Sequence, residues 1–240
     1  MFYLLSSVLK QRNEIIHKHV VVHLRKTRKT LKNKTFNTPL GIISCDLNSN
    51  RNYIELLDSG TYENGTFERF KTSAYDIELI EFKVKQPFHN GETIKDSKCW
   101  IWKIEKVREK SENLELKVTI TDFPENSEFD FASGENLDAF VIENAEWKLH
   151  IGTEDGFILN RRAENDDWFP KRLTNKKKDW QEITELKETS IQTKVPELKI
   201  GEKIHLQYLT AFDKQNTETI NTWVAVDENK SELEKWIGIE

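Results

Sequence analysis

The sequence predicts a mainly β protein: two similar antiparallel β units, small barrels or sandwiches, in tandem, with a basic N-terminal segment and a short C-terminal helix. Three observations carry that expectation. The segment LELKVTIT sets Leu114, Leu116, Val118 and Ile120 against Glu115, Lys117, Thr119 and Thr121, the period-two pattern of a strand with one wet face. Strand-like runs recur along the chain, whereas helical spacing shows only in short patches near its two ends. Finally, KQPFHNGETI (85–94) and KVPELKIGEKI (194–204) echo each other through Lys85/Lys194, Pro87/Pro196, Gly91/Gly201, Glu92/Glu202 and Ile94/Ile204, with a one-residue gap.

Taken in order, residues 1–38 form a basic segment, with nine Lys/Arg against the single acid Glu14. Leu4, Leu5, Val8 and Leu9 fall at helical spacing, and alternation from Ile15 to Leu24 favours a strand. Residues 25–38 have no apolar period and read as a basic loop or ribbon end. A first β unit over 39–123 has strand candidates at 40–46, 53–57, 77–85, 98–107 and 113–121, the last two joined in a hairpin by REKSEN. Residues 124–139 are an acidic connection. The second unit, 140–240, has strand candidates at 140–143, 146–151, 156–160, 183–194, 203–212 and 218–226. In ENKSELEKWIGIE, Ser231 and Glu234 have capping-box spacing ahead of Leu233, Trp236 and Ile237, and Gly238 stops the turn.

Composition narrows the function classes. Seven Trp, thirteen Phe and five Tyr in a chain that is 32% charged indicate a folded protein, since a disordered chain of that charge would lack aromatics. The net charge of −5 divides into +8 over residues 1–38 and −13 over the remainder. Two cysteines, Cys45 and Cys99, are too few for a disulfide framework and are expected to be reduced. No run approaches the roughly 18 apolar residues of a membrane span, and the apolar start lacks the basic leader and cleavage site of a signal peptide. A cytoplasmic location is the expectation.

Several side-chain groups resemble sites. His17, His19 and His23 with Glu14 have metal-like spacing, but no second cluster completes a ligand set, so the simpler reading is a polar strand face. The basic residues Arg25, Lys26, Arg28, Lys29 and Lys32 could contact a phosphate backbone, without any base-reading motif beside them. Trp100 and Trp102 share a strand face and are read as core. In HIGTEDGFILNRRAENDDWFPKR, Glu154-Asp155-Gly156 reads as a hairpin turn, and Arg161, Arg162, Asp166, Asp167 and Trp168 form the candidate binding group, a charged loop anchored by an aromatic. No Walker loop, GxSxG, GxGxxG, HExxH or CxxC pair occurs, and no catalytic residue, cofactor or metal is assigned. The leading expectation is a non-catalytic protein-binding module of inhibitor or immunity type, whose acidic body steers onto a basic partner. The alternatives are a nucleic-acid-associated protein using the basic segment, and an enzyme of unrecognised type with a site around residues 154–168.

Overall fold

Alternating residues become strands where one face finds cover, and a run buried on both faces becomes the centre of a sheet. The computed structural model describes residues 34–51, 53–88, 91–165, 168–173, 183–215 and 221–239. Two antiparallel sheets form a sandwich-like body with no closed barrel. The five-stranded sheet has β1 (Lys34–Thr38) and β2 (Gly41–Ser49) on one side of β7 (Leu114–Thr121), and β12 (Ser190–Lys194) and β11 (Thr184–Lys187) on the other. The eight-stranded sheet begins with β3 (Glu55–Tyr62), β4 (Gly65–Lys71), β5 (Tyr75–Phe82) and β6 (Asp96–Lys106). It continues with β13 (Lys203–Lys214), β10 (Trp147–Thr153), β9 (Asp138–Glu143) and β8 (Glu128–Ser133).

Two cores share the large sheet. Trp100, Trp102 and Ile104 of β6, with Ile204, Leu206 and Tyr208 of β13, face the five-stranded sheet and meet Ile43, Cys45, Leu116 and Val118. Trp102 Nε1 donates to Cys45 Sγ at 3.3 Å. On the opposite, outer face Ile80, Ile101, Leu209 and Ala211 are covered by two short helices, α2 (Asn221–Val226) and α3 (Lys230–Ile237), through Ala225, Val226, Leu233 and Ile237. A third helix, α1 (Gly156–Asn165), follows β10 and closes one side of the sandwich with Leu159 and Ala163. A 3-10 turn, Lys171–Leu173, buries Leu173 against the same core.

The mainly β class, the antiparallel strands and the short C-terminal helix agree with the expectation, while the strands do not segregate as two tandem units would. Both sheets take strands from both halves: β6 pairs with β13, and β7 with β12. The echoed passages do share local geometry, since Gly91 and Gly201 adopt φ +80° and +82°, left-handed values that favour glycine. Their surroundings differ. The first links two neighbours of one sheet, β5 and β6, whereas the second carries the chain from β12 across to β13 in the other sheet.

Other expectations are corrected. The REKSEN passage is an arch between sheets and not a hairpin, because β6 and β7 belong to different sheets. The buried Glu112 side chain holds it, accepting from Thr72 Oγ1 at 2.8 Å, Ser73 Oγ at 2.7 Å and the Ala74 amide at 2.8 Å. Residues 34–38 of the basic segment form β1, and Lys34 Nζ lies 2.6 Å from Glu68 and 2.7 Å from Glu81. The acidic connection contains β8. Residues 221–226 are helical, with Asn221, Thr222, Ala225 and Val226 buried at helical spacing. The C-terminal helix is capped by Asn229, whose side chain accepts from the Glu232 amide, in place of Ser231. Gly238 ends that helix in the left-handed conformation.

The doubly covered β6–β13 ladder makes one prediction. Trp102→Ala removes a fully buried ring, and the expected cost is about 3–5 kcal/mol, read as a lower urea midpoint. A loss under about 1 kcal/mol would contradict the burial described.

Candidate functional site

The sequence-predicted binding group falls on α1 and the residues after it, and the Asp-Gly step starts a helix where a hairpin turn was expected. Asp155 caps α1: its Oδ1 accepts from the Ile158 amide at 2.8 Å, and its carbonyl from the Leu159 amide at 3.0 Å. A side-chain acceptor at this position satisfies an otherwise orphaned helical donor. Ile158, Leu159 and Ala163 then turn inward, leaving Arg161 and Arg162 on other faces.

The two arginines have different roles. Arg161 is exposed and donates Nη2 to the Glu135 carbonyl at 2.9 Å, tying α1 to the β8–β9 turn. Arg162 forms a close ion pair with Glu154, which is only 2% exposed, and donates to the His205 carbonyl at 3.3 Å. Trp168 accepts at its carbonyl from the His205 amide at 2.8 Å, and its ring lies 5.2 Å from Lys103 Nζ and 5.0 Å from Lys203 Nζ. Asp166 and Asp167 lie outside the described residues, as do His17, His19, His23 and the basic residues Arg25 to Lys32.

From Trp168 inward runs a buried polar cluster that the sequence reading missed. Lys103 of β6 pairs with Glu234 of α3 at 2.5 Å, and Lys230 reaches the other oxygen of that carboxylate at 2.8 Å. His205 is fully buried, with Nδ1 3.7 Å from Glu234 Oε1 and Nε2 3.3 Å from Gln207 Oε1. Burial, reinforced by Arg162, Lys230 and Lys103, holds the His205 imidazole well below its ordinary range, so the ring is neutral at pH 7. The cluster binds α1, the Trp168 segment and α3 to the centre of the large sheet, and every charge in it has an opposite charge within the chain. This is the arrangement of a structural lock.

Cys45 and Cys99 are free and buried; burial pushes the Cys45 thiol far up and the Cys99 thiol up to about 12, leaving both protonated and unreactive. Trp100 and Trp102 are fully buried, as core residues should be. Among the described residues no group of three or more His, Cys, Asp or Glu is placed to hold a metal ion. A shallow groove of about 480 Å³ runs beside α3, lined by Val84, Phe88, Glu228, Glu232, Leu233 and Trp236 among others.

No family model and no curated protein matches the chain. Among solved structures, one described as "Putative kojibiose phosphorylase from human microbiome" aligns over 86% of this chain at 8% identity with a TM-score of 0.33. The alignment spans 27% of that protein. At this level the likeness bears on neither activity nor ligand.

Glu154→Gln removes the buried carboxylate that pairs with Arg162 and is expected to cost about 3–5 kcal/mol, whereas Arg161→Ala should stay within about 0.5 kcal/mol; urea denaturation of both variants separates them. Asp138 is held above its usual carboxylate range, by burial first and then by the nearby Asp155, against the pull of Ser133. A raised folded value means the folded state keeps its proton longer, so the contribution of this group to stability falls as pH rises through the carboxylate range. Asp138→Asn should therefore raise the melting temperature at pH 7 and leave it unchanged near pH 3.

Proposed function

We propose that this chain is a non-catalytic, cytoplasmic protein-binding module, and that it engages a basic partner along the border formed by β8 and α1. The observation that carries the reading is an exposed acidic and aromatic border. Between Lys117 and Lys148 the sequence contains eight acids and no lysine or arginine. Asp122, Glu125, Glu128, Asp130 and Glu135 are exposed there and have no ion-pair partner among the described residues. Phe131 on β8 is 57% exposed and Phe157 on α1 is 52% exposed. Large apolar side chains standing in an acidic field give a partner both anchor and steering.

β8 is also an edge strand of the large sheet, with one row of backbone groups facing outward. An extended basic segment of the partner fits that edge by strand addition, its lysines or arginines meeting Glu128 and Asp130. The inhibitor or immunity-type role is the form of this reading in which the partner is a basic enzyme. Arg161, Arg162 and Trp168 serve it by fixing α1 against β8 and the sheet. The nucleic-acid reading depends on residues outside the described ones, and no observation of the described residues favours it.

The test is capture of partners from native lysate with the wild-type chain and with the Phe131→Ser variant. A stoichiometric basic protein, held at low salt, released as salt rises and lost with the variant, is the expected result. Recovery of the same partner by both proteins, or of none by the wild type, removes the reading.

A further inference from the structure

Both histidines among the described residues lie beneath the helical pair that covers the outer face of the large sheet. His205, on β13, sits under α3 beside Glu234, 3.7 Å from its carboxylate. His150, on β10, sits under α2, with Nδ1 2.9 Å from Thr222 Oγ1 and its ring 5.5 Å from that of Trp223. His150 is 4% exposed and His205 fully buried. We propose that α2 and α3 form an acid-sensitive cap on the eight-stranded sheet, latched by His150 and His205 and released when these rings take up protons.

The surroundings of each ring make protonation and closure incompatible. Facing His205 are Lys103 from β6, Lys230 and Glu234 from α3, Gln207 from its own strand and Arg162 from α1, the last already neutralised by Glu154. Lys103 and Lys230 together saturate Glu234, so an imidazolium would enter a site whose one adjacent carboxylate is already shared by two ammonium groups. Around His150, Val141 of β9 and Ala211 of β13 flank the ring across the sheet. Thr222 and Trp223 cover it from α2, and Lys148 and Glu143 act on it electrostatically. Protonation leaves the Thr222 bond possible, with the ring as donor, but places a charge in an apolar seat. Burial holds the His150 imidazole down to about 4, with Lys148 adding to the effect.

The sign of the coupling follows directly. In the open form each ring returns to its ordinary range near 6.5, so below that pH the open form binds protons that the closed form refuses. The closed cap is fully favoured above about pH 6.5 and loses ground as pH falls; each histidine multiplies the opening constant by about tenfold per pH unit, both together by about a hundredfold. Opening uncovers Ile80, Ile101, Leu209 and Ala211 on the sheet and Leu233 and Ile237 on α3. The sandwich core on the other face of the sheet keeps its cover.

Amide hydrogen exchange on the full chain between pH 7.5 and 5.5, corrected for intrinsic rates, tests this. The expected result is that α3 amides lose protection by up to about a hundredfold per pH unit below 6.5 while β7 amides retain theirs. Loss of protection in α3 and β7 together, or an α3 protection flat with pH, overturns the proposal. Because His205→Gln disturbs a fully buried position, His150→Gln is the informative variant, as its amide can keep the Thr222 bond. Its slope should fall to about tenfold per pH unit, and an unchanged slope would also overturn the latch.

Discussion

The pairing of β6 with β13 is the constraint on which the rest of the molecule depends. These are the two central strands of the large sheet, joined over ten residue pairs from Glu105–Lys203 to Asp96–Phe212 and covered on both faces. A strand in that position can carry a polar side chain only where a partner comes with it. At one end of the ladder the register sets Lys103 directly opposite His205 on the outer face. Two cations side by side across strands would repel, and burial removes the water that would screen them. The fold resolves this by keeping His205 neutral and by bringing Glu234 to Lys103 from α3.

That one solution organises the neighbouring elements. Glu234 on α3 needs the second oxygen occupied, and Lys230, one turn earlier, does so. The His205 backbone is itself shared, its amide going to the Trp168 carbonyl and its carbonyl to Arg162. Arg162 in turn makes the burial of Glu154 tolerable at the end of β10. Pairs of this kind seldom add net stability over well-packed apolar groups. What they add is position: α1, the Trp168 segment and α3 can dock in one register only, because any slip leaves a buried charge alone. The same logic separates the apolar part of the outer core, around Leu209 and Ala211, from its polar end.

Much of the fold was legible in the sequence because the signals were local. The alternation of residues 114–121 is a strand with its polar face half-exposed, and Gly238 ends the last helix as its position suggested. Failures occurred where one local signal serves two structures. Asp-Gly suits both a type I′ turn and a capped helix start; the choice was made by Ile158, Leu159 and Ala163, whose spacing is helical and whose burial depends on the sandwich edge. The echoed passages share a glycine conformation but not a topology, since φ at Gly91 and Gly201 is a local property and sheet partnership is not. The polar cluster was beyond reach for the same reason. Lys103, Glu154, His205 and Glu234 are separated by 29 to 51 residues between neighbours in the chain, and only the ladder brings them together.

The distribution of satisfied charge is the last link between fold and use. Inside, Lys103 and Lys230 share Glu234, and Arg162, the one member of the sequence-predicted binding group among these charges, pairs with Glu154. The outer edge of the large sheet is different. Along β8, Glu128 and Asp130 stand exposed with no cation paired to them among the described residues, beside a half-exposed Phe131. Edge strands in isolated proteins are blunted by charge, which protects against pairing with a like copy; Glu128 and Asp130 on β8 contribute to this, since a second copy would bring the same sign. It does not exclude a strand of opposite charge. On the proposed reading, such an edge would discriminate a basic segment from a second copy of the chain by electrostatics alone.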